Sequence, residues 1–143
     1  MKLPACLADL PRPLYFFDGH CVLCSAFVAF CLARDPEGNL NFASTQSALG
    51  GRVLAELGLP AATFDRTILL LEGDEVHARS AAALRAFRYL RGPVRCLRPL
   101  LLVPSSLRDP LYDLIARNRY RWFGRRSACF VPDAATRGRF IDL

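Results

Sequence analysis

Apolar residues recur along this chain in two rhythms. Short unbroken runs, Leu14-Tyr15-Phe16-Phe17, Leu40 to Ala43 and Thr67-Ile68-Leu69-Leu70-Leu71, have the length and composition of buried strands. Longer stretches lie between them. Val22 to Arg34 contains no Gly or Pro, consists mostly of Leu, Ala, Phe and Val, and runs into Asp35-Pro36-Glu37-Gly38, which predicts a helix with a defined stop. Apolar residues cover nearly every side of it, so it should be largely buried rather than a surface amphipath. Gln46 to Leu57 has the composition of a crossover helix, stopped by Gly58-Leu59-Pro60. A strand–helix–strand–helix opening is the pattern of a parallel-strand unit. After the third strand, Glu72-Gly73-Asp74 turns the chain and Glu75-Val76-His77-Ala78 returns, which predicts an antiparallel hairpin. Ser80 can then cap a helix from Ala81 to Leu90, ended by Gly92-Pro93.

The resulting order, βαβαββα, is that of a thioredoxin-like α/β fold. Residues from about 93 to 143 form an addition to this core, which spans about 13–92. Within the addition, Asp109-Pro110 reads as an N-cap followed by proline at the first helical position. That predicts a helix to about Trp122, with Leu111, Leu114 and Ile115 as its inward face and Gly124 as its stop. The run Leu100-Leu101-Leu102-Val103 is too short to cross a membrane and reads as a core segment or helix fragment. No repeat, low-complexity tract or Pro/Gly/Ser linker divides the chain, so a single domain over residues 1–143 is expected.

Composition changes this picture in two ways. At 143 residues the chain can bury a real core without a disulfide scaffold. No apolar run near the N-terminus resembles a signal peptide, and no stretch approaches the ~20 apolar residues of a spanning helix. These features predict a cytoplasmic protein whose six cysteines, at 6, 21, 24, 31, 96 and 129, are reduced by default. The net charge of +6 is concentrated in the second half, where residues 66–143 carry fifteen basic and seven acidic side chains. Arginine supplies eighteen of the nineteen basic residues, which suits anionic partners, although a genomic bias would give the same count.

The chemistry is concentrated where the first strand meets the first helix. Asp18-Gly19-His20-Cys21 leaves the strand, and Cys24 follows at C-x-x-C spacing. A cysteine at a helix N-terminus faces unpaired backbone N–H groups and the positive end of the macrodipole, which favour thiolate over thiol. Cys21 is therefore the candidate nucleophile at the exposed tip of the helix, and Cys24, one turn inside, is the better protected resolving thiol. A bland alternative is a pair of small buried residues, since free cysteine packs well in cores. Asp18 cannot activate Cys21, because a nearby carboxylate raises a thiol pKa. Its two open roles are to accept a proton from Cys24 during resolution or to hold the turn through an Asx hydrogen bond. His20 is either solvated or, when protonated, a stabiliser of the thiolate.

Cys31 invites a zinc reading with Cys21, Cys24 and His20, but it lies about 10 Å up the helix from Cys24, so a core position is expected. Cys6 and Cys96 have no motif, and His77 has no evident role. Arg117 to Arg126 interleaves five arginines with Tyr120, Trp122 and Phe123. Such a segment either binds single-stranded nucleic acid or is a helix end whose aromatics pack and whose arginines are solvated or paired; the second is favoured.

Phe17-Asp18-Gly19-His20-Cys21-Val22-Leu23-Cys24, with Arg34-Asp35 at the end of the helix, resembles the DCC-type thiol-disulfide oxidoreductase family. The likeness continues through Phe42-Ala43-Ser44-Thr45-Gln46-Ser47, the hairpin at 67–78 and Asn118-Arg119-Tyr120-Arg121-Trp122-Phe123-Gly124-Arg125 before Cys129. It implies a thioredoxin-like fold and thiol-disulfide exchange, and it marks Cys129 as either a third redox thiol or a core contact. Two features depart from ordinary thioredoxins. Val22 and Leu23 between the cysteines supply neither proline nor charge, and Thr67 stands about where a cis-proline would face the pair, Pro60 being too far upstream. The expected activity is exchange with a thiol or disulfide substrate, protein or small thiol, using Cys21, Cys24 and Asp18. No bound cofactor or metal is needed, and an external reductant supplies electrons. The rival readings are a zinc-binding module and a basic interaction module on the same scaffold.

Overall fold

The computed structural model describes residues 2–125 and 136–141. Strand β1 (Leu14–Phe17) leads into helix α1 (Val22–Arg34), β2 (Asn41–Ser44) and α2 (Ala48–Glu56). A short helix α3 (Thr63–Arg66) precedes the hairpin β3 (Leu69–Glu72) and β4 (Glu75–Ala78), and α4 (Arg79–Ala86) follows. A 3₁₀ segment over Pro93–Leu102, the long α5 (Ser105–Phe123) and the short β5 (Phe140–Ile141) complete it. The sheet order is β4-β3-β1-β2-β5. Strands β1 and β2 are parallel, while β3 is antiparallel to both β1 and β4. The fold is thus α/β and thioredoxin-like with a C-terminal helical extension, which also returns β5 to the edge of the sheet, parallel to β2.

All four residues of β1 are buried because both faces of the sheet are covered. Leu14 and Phe16 point into one core with Leu49, Val53 and Phe64 from α2 and α3. Tyr15 and Phe17 point into the other with Val28 and Cys31 of α1 and Ala82 and Ala86 of α4. Period-two alternation, invisible in an all-apolar run, here sorts side chains between two cores. Phe16 stacks on Phe64 at 5.6 Å, and its truncation to alanine would cost about 3–5 kcal/mol.

Several expectations need correction. Helix α1 buries only Ser25, Val28 and Cys31; its outer face exposes Ala26, Ala29 and Ala33. Alanine makes a good helix surface, so apolar residues all round did not mean burial all round. Ser80 does not cap α4. The capping position is Ala78, and the Ser80 hydroxyl instead donates to Asp109 at 2.5 Å and accepts from Arg108 at 3.0 Å. That use of Asp109 removes it as an N-cap, and α5 begins at Ser105 with Pro110 inside it. The inward face of α5 also differs: Leu111 and Leu114 are exposed, whereas Tyr112, Ile115, Ala116 and Arg119 face the core. The leucines at 100–102 lie in the 3₁₀ segment, with Leu102 87% exposed, so the helix-fragment reading holds and the core reading fails. Among the described residues no helix is long and apolar enough to cross a membrane.

Candidate functional site

The loop from β1 to α1 is fixed by its own side chains. Asp18 Oδ1 accepts the N–H of His20 at 2.9 Å, the Asx hydrogen bond, and the Cys21 N–H donates to the Asp18 carbonyl at 3.2 Å. Cys21, in an extended conformation, is the N-cap of α1, and its Sγ accepts the N–H of Cys24 at 3.3 Å. Sulfur here takes the place of the oxygen that a serine or aspartate cap would offer.

Two further contributions shape the Cys21 thiol. The Cys24 S–H donates to it, and the Arg119 guanidinium adds positive charge; together with the Cys24 N–H these outweigh burial and the Asp18 carboxylate. The Cys21 pKa falls to about 6 as a result. Cys24 moves the other way, raised by its hydrogen bond to Cys21 and by burial. The surroundings therefore favour the thiolate at Cys21 and the protonated thiol at Cys24.

Asp18 is buried, and its surroundings come from three parts of the chain. Gln46, in the loop between β2 and α2, donates Nε2 to Asp18 Oδ1 at 2.7 Å and accepts the Gly19 N–H at 3.3 Å. From α5, the Tyr120 hydroxyl and Arg119 Nη2, at 3.3 Å, both donate to Asp18 Oδ2. Burial pushes the Asp18 carboxyl up, but these hydrogen bonds and the Arg119 charge prevail and hold it below its ordinary value. The Asp18–Arg119 ion pair is itself almost wholly buried.

The relative exposure of the cysteines is the reverse of the expectation. Cys21 has no exposed surface, whereas Cys24 is partly exposed. The chain beyond α5 causes this: Arg125 forms an antiparallel bridge with Cys21, and the Val22 N–H donates to the Gly124 carbonyl at 3.4 Å. Gly124 reverses the chain there with φ of 96°, a value that favours glycine.

Other candidates fall elsewhere. Cys31 sits in the core beneath β1 and β2, and burial pushes its thiol up to about 12. Cys6 and Cys96 are exposed, and Cys129 lies outside the described residues. His20 is half-buried at the turn. His77 lies 3.4 Å from Glu75 and 3.7 Å from Glu72, away from the site. In the arginine-rich segment Arg119 is buried and paired with Asp18, while Trp122 and Phe123 are exposed. Among the described residues no three His, Cys, Asp or Glu side chains gather as metal ligands would. At the head of β3, Thr67 accepts the Arg79 N–H at 2.8 Å, and the Ile68 N–H donates to the Tyr112 hydroxyl at 3.3 Å. The extension thus occupies a backbone donor beside the pair.

Sequence reasoning missed Gln46, Arg119 and Tyr120 as site residues. Their signal was present in the family-like segments at 42–47 and 118–125, but nothing local said that Arg119 and Tyr120 would turn inward.

A model of the DCC1-like thiol-disulfide oxidoreductases matches residues 15–125. The chain is 40% identical over 133 residues to the uncharacterised Bacillus subtilis protein YuxK, covering 93% of this chain and 96% of that one. A chloroplastic DCC family protein of Arabidopsis thaliana is 34% identical over 119 residues, 82% of this chain and 69% of the relative. No solved structure matches significantly. With a C-x-x-C pair capping α1 and the family model spanning strand, helix, hairpin and α5 alike, the chain belongs to the DCC1-like thiol-disulfide oxidoreductase family.

Proposed function

We propose that this protein is a thiol-disulfide oxidoreductase in which Cys21 is the nucleophile and Cys24 the resolving thiol. The observation that carries the reading is the Cys21 sulfur at the N-cap of α1, where it accepts the Cys24 N–H at 3.3 Å, in surroundings that lower its pKa and raise that of Cys24. In the reductive direction the Cys21 thiolate attacks one sulfur of a substrate disulfide and expels the other as thiolate. Cys24 then gives up its proton and attacks the Cys21 sulfur, releasing the second substrate thiol and leaving a Cys21–Cys24 disulfide. Two electrons from an external dithiol or thiol reductant restore the pair. The substrate is a protein or small-molecule disulfide, no bound cofactor takes part, and the reading places the reaction in the reducing cytoplasm. Because Cys21 has no exposed surface, attack on a substrate disulfide requires the covering segment at Gly124 and Arg125 to open.

Asp18 acts in this scheme as a positioning residue: it holds the turn and fixes Arg119 and Tyr120. Its lowered pKa makes it a poor acceptor for the Cys24 proton, which supports the turn-holding role over the proton-accepting one.

Thiolate absorbance of the reduced protein against pH, with Cys21→Ser and Cys24→Ser as controls, tests the assignment. One group should titrate near pH 6 and vanish in Cys21→Ser. In glutathione buffers the pair should cycle reversibly between dithiol and disulfide. A thiol that titrates only above pH 8, or a pair that does not cycle, would sink the proposal.

A further inference from the structure

Every exposed large apolar side chain among the described residues, Val22 excepted, lies between residues 97 and 123. On α5 they are aligned. Leu107, Leu111 and Leu114 stand four and three residues apart and so share one side of the helix, Leu107 being 68% and Leu111 62% exposed. Asn118 and Trp122 continue the line at intervals of four, over about 22 Å at the rise of an α-helix. The side that carries Tyr112, Ile115, Ala116 and Arg119 rests on α1 and α4, so the leucines form an outward ridge. Single exposed leucines need no explanation, but an aligned row marks an interaction surface.

The charge beside the ridge selects what covers it. Arg117 and Arg121, three and seven residues past Leu114, border the row; both are exposed and neither has an ion-pair partner among the described residues. The carboxylates of α5 are already engaged, Asp109 by the Ser80 hydroxyl and Asp113 by Arg79 at 3.6 Å. A second copy would therefore bring like charge and no free carboxylate to these arginines. Nucleic acid would stack on Trp122 but leave the aliphatic leucines in water. An anionic lipid surface answers both features: the leucines and Trp122 enter the boundary between headgroups and acyl chains while the guanidinium groups stay among the phosphates.

We propose that the outer row of α5, Leu107, Leu111, Leu114 and Trp122 with Arg117 and Arg121, docks this protein on the surface of an anionic lipid bilayer without crossing it. The docking does not depend on the thiol-disulfide reading, but it borders that site, since Trp122 and Phe123 run directly into Gly124 and Arg125, which cover Cys21.

Trp122 is the single tryptophan of the chain, so its fluorescence reports on this face. Added to the full-length protein, vesicles of phosphatidylcholine with phosphatidylglycerol should shift its emission to shorter wavelength, and lipids brominated high on the acyl chain should quench it. Phosphatidylcholine alone should do neither. Leu107→Ser with Leu111→Ser should weaken binding at least about tenfold, and Leu111→Gln alone carries the test if that variant does not fold. Arg117→Gln with Arg121→Gln should weaken binding and reduce its salt dependence. Arg52→Gln, on α2 across the sheet, should change it less than about twofold. Binding that leaves Trp122 emission unmoved, or that falls as much per charge removed with Arg52→Gln as with the α5 arginines, is general attraction of a basic protein and overturns the proposal. Failure to bind the vesicles overturns it too, with or without a dimer that Leu107→Ser and Leu111→Ser dissolve.

Discussion

Arg119 decides the electrostatic sign of the site. It is the cation that helps hold Cys21 as thiolate and the partner that makes a buried Asp18 carboxylate tolerable. Removing it acts on both. Arg119→Met should raise the Cys21 pKa and, because a less stabilised thiolate makes the reduced form less favourable, shift the pair to a more negative reduction potential. It should also destabilise the fold by about 3 kcal/mol, the usual cost of stranding one member of a buried ion pair. Arg119→Lys keeps the charge and should restore most of the thiolate character, whereas a merely structural arginine would show no such recovery. Pairing Arg119→Met with Asp18→Asn should regain much of the lost stability, measured by denaturant unfolding. The contrast with the cysteines explains what the sequence could reveal. Cys21 and Cys24 are legible because their spacing and the strand before them are local. Arg119 meets Asp18 across 101 residues of chain, and a run of alternating arginines gives no local reason for one of them to turn inward.

At the level of elements, hydrophobic pattern and stop signals located β1, α1 and β4 as they are, while boundaries elsewhere shifted wherever a side chain found a distant partner. Ser47, whose hydroxyl accepts the Gly50 N–H at 3.2 Å, starts α2 two residues later than composition suggests, at Ala48. Asp109, the apparent cap of α5, is taken by Ser80, and the helix starts five residues further back, at Ser105. Such exchanges depend on which helices lie side by side, and no window of sequence contains that information. Adjacent glycines in α2 offer a sharp test of the local packing. A Cβ on Gly50 would stand 2.9 Å from the Thr45 carbonyl oxygen, against rigid backbone, whereas one on Gly51 would meet nothing within 4 Å. Gly50→Ala should therefore destabilise the protein by about 1–3 kcal/mol through steric conflict, while Gly51→Ala should stabilise it by about 0.5–1 kcal/mol through helix propensity. Thermal unfolding of the two variants should show midpoint shifts of opposite sign, and equal shifts would refute the close approach of α2 to the loop that carries Gln46.

Across the whole molecule, the addition after the core closes over the chemistry and ties down both ends of α1. At its N-terminus Gly124 and Arg125 cover Cys21; at its C-terminus Arg139 donates to the Asp35 carboxylate, which also accepts the Leu40 N–H at 2.8 Å. The thiolate is thus held inside a folded assembly that an unfolded chain lacks, and the difference links redox chemistry to global stability. In the folded protein Cys21 loses its proton near pH 6, while in the unfolded chain it does so near ~8.5. Between those values the unfolded state binds more protons than the folded one, so unfolding free energy rises with pH across that window and the gain disappears below about pH 6. Cys24, whose pKa is raised, stays protonated in both states over most of the range. Burial lowers the pKa of His77, which gives a rise of the same sign, but only at or below the ordinary histidine value of ~6.5. Cys21→Ser keeps an acceptor for the Cys24 N–H at the N-cap and removes only the titration. Denaturant unfolding of the reduced protein at intervals from pH 6 to 8.5 should therefore show increasing stability in the parent and a nearly flat profile in Cys21→Ser above pH 7. A parent as flat as the variant would mean that Cys21 remains a thiol in the folded state, and the electrostatic account of its reactivity would fall with it.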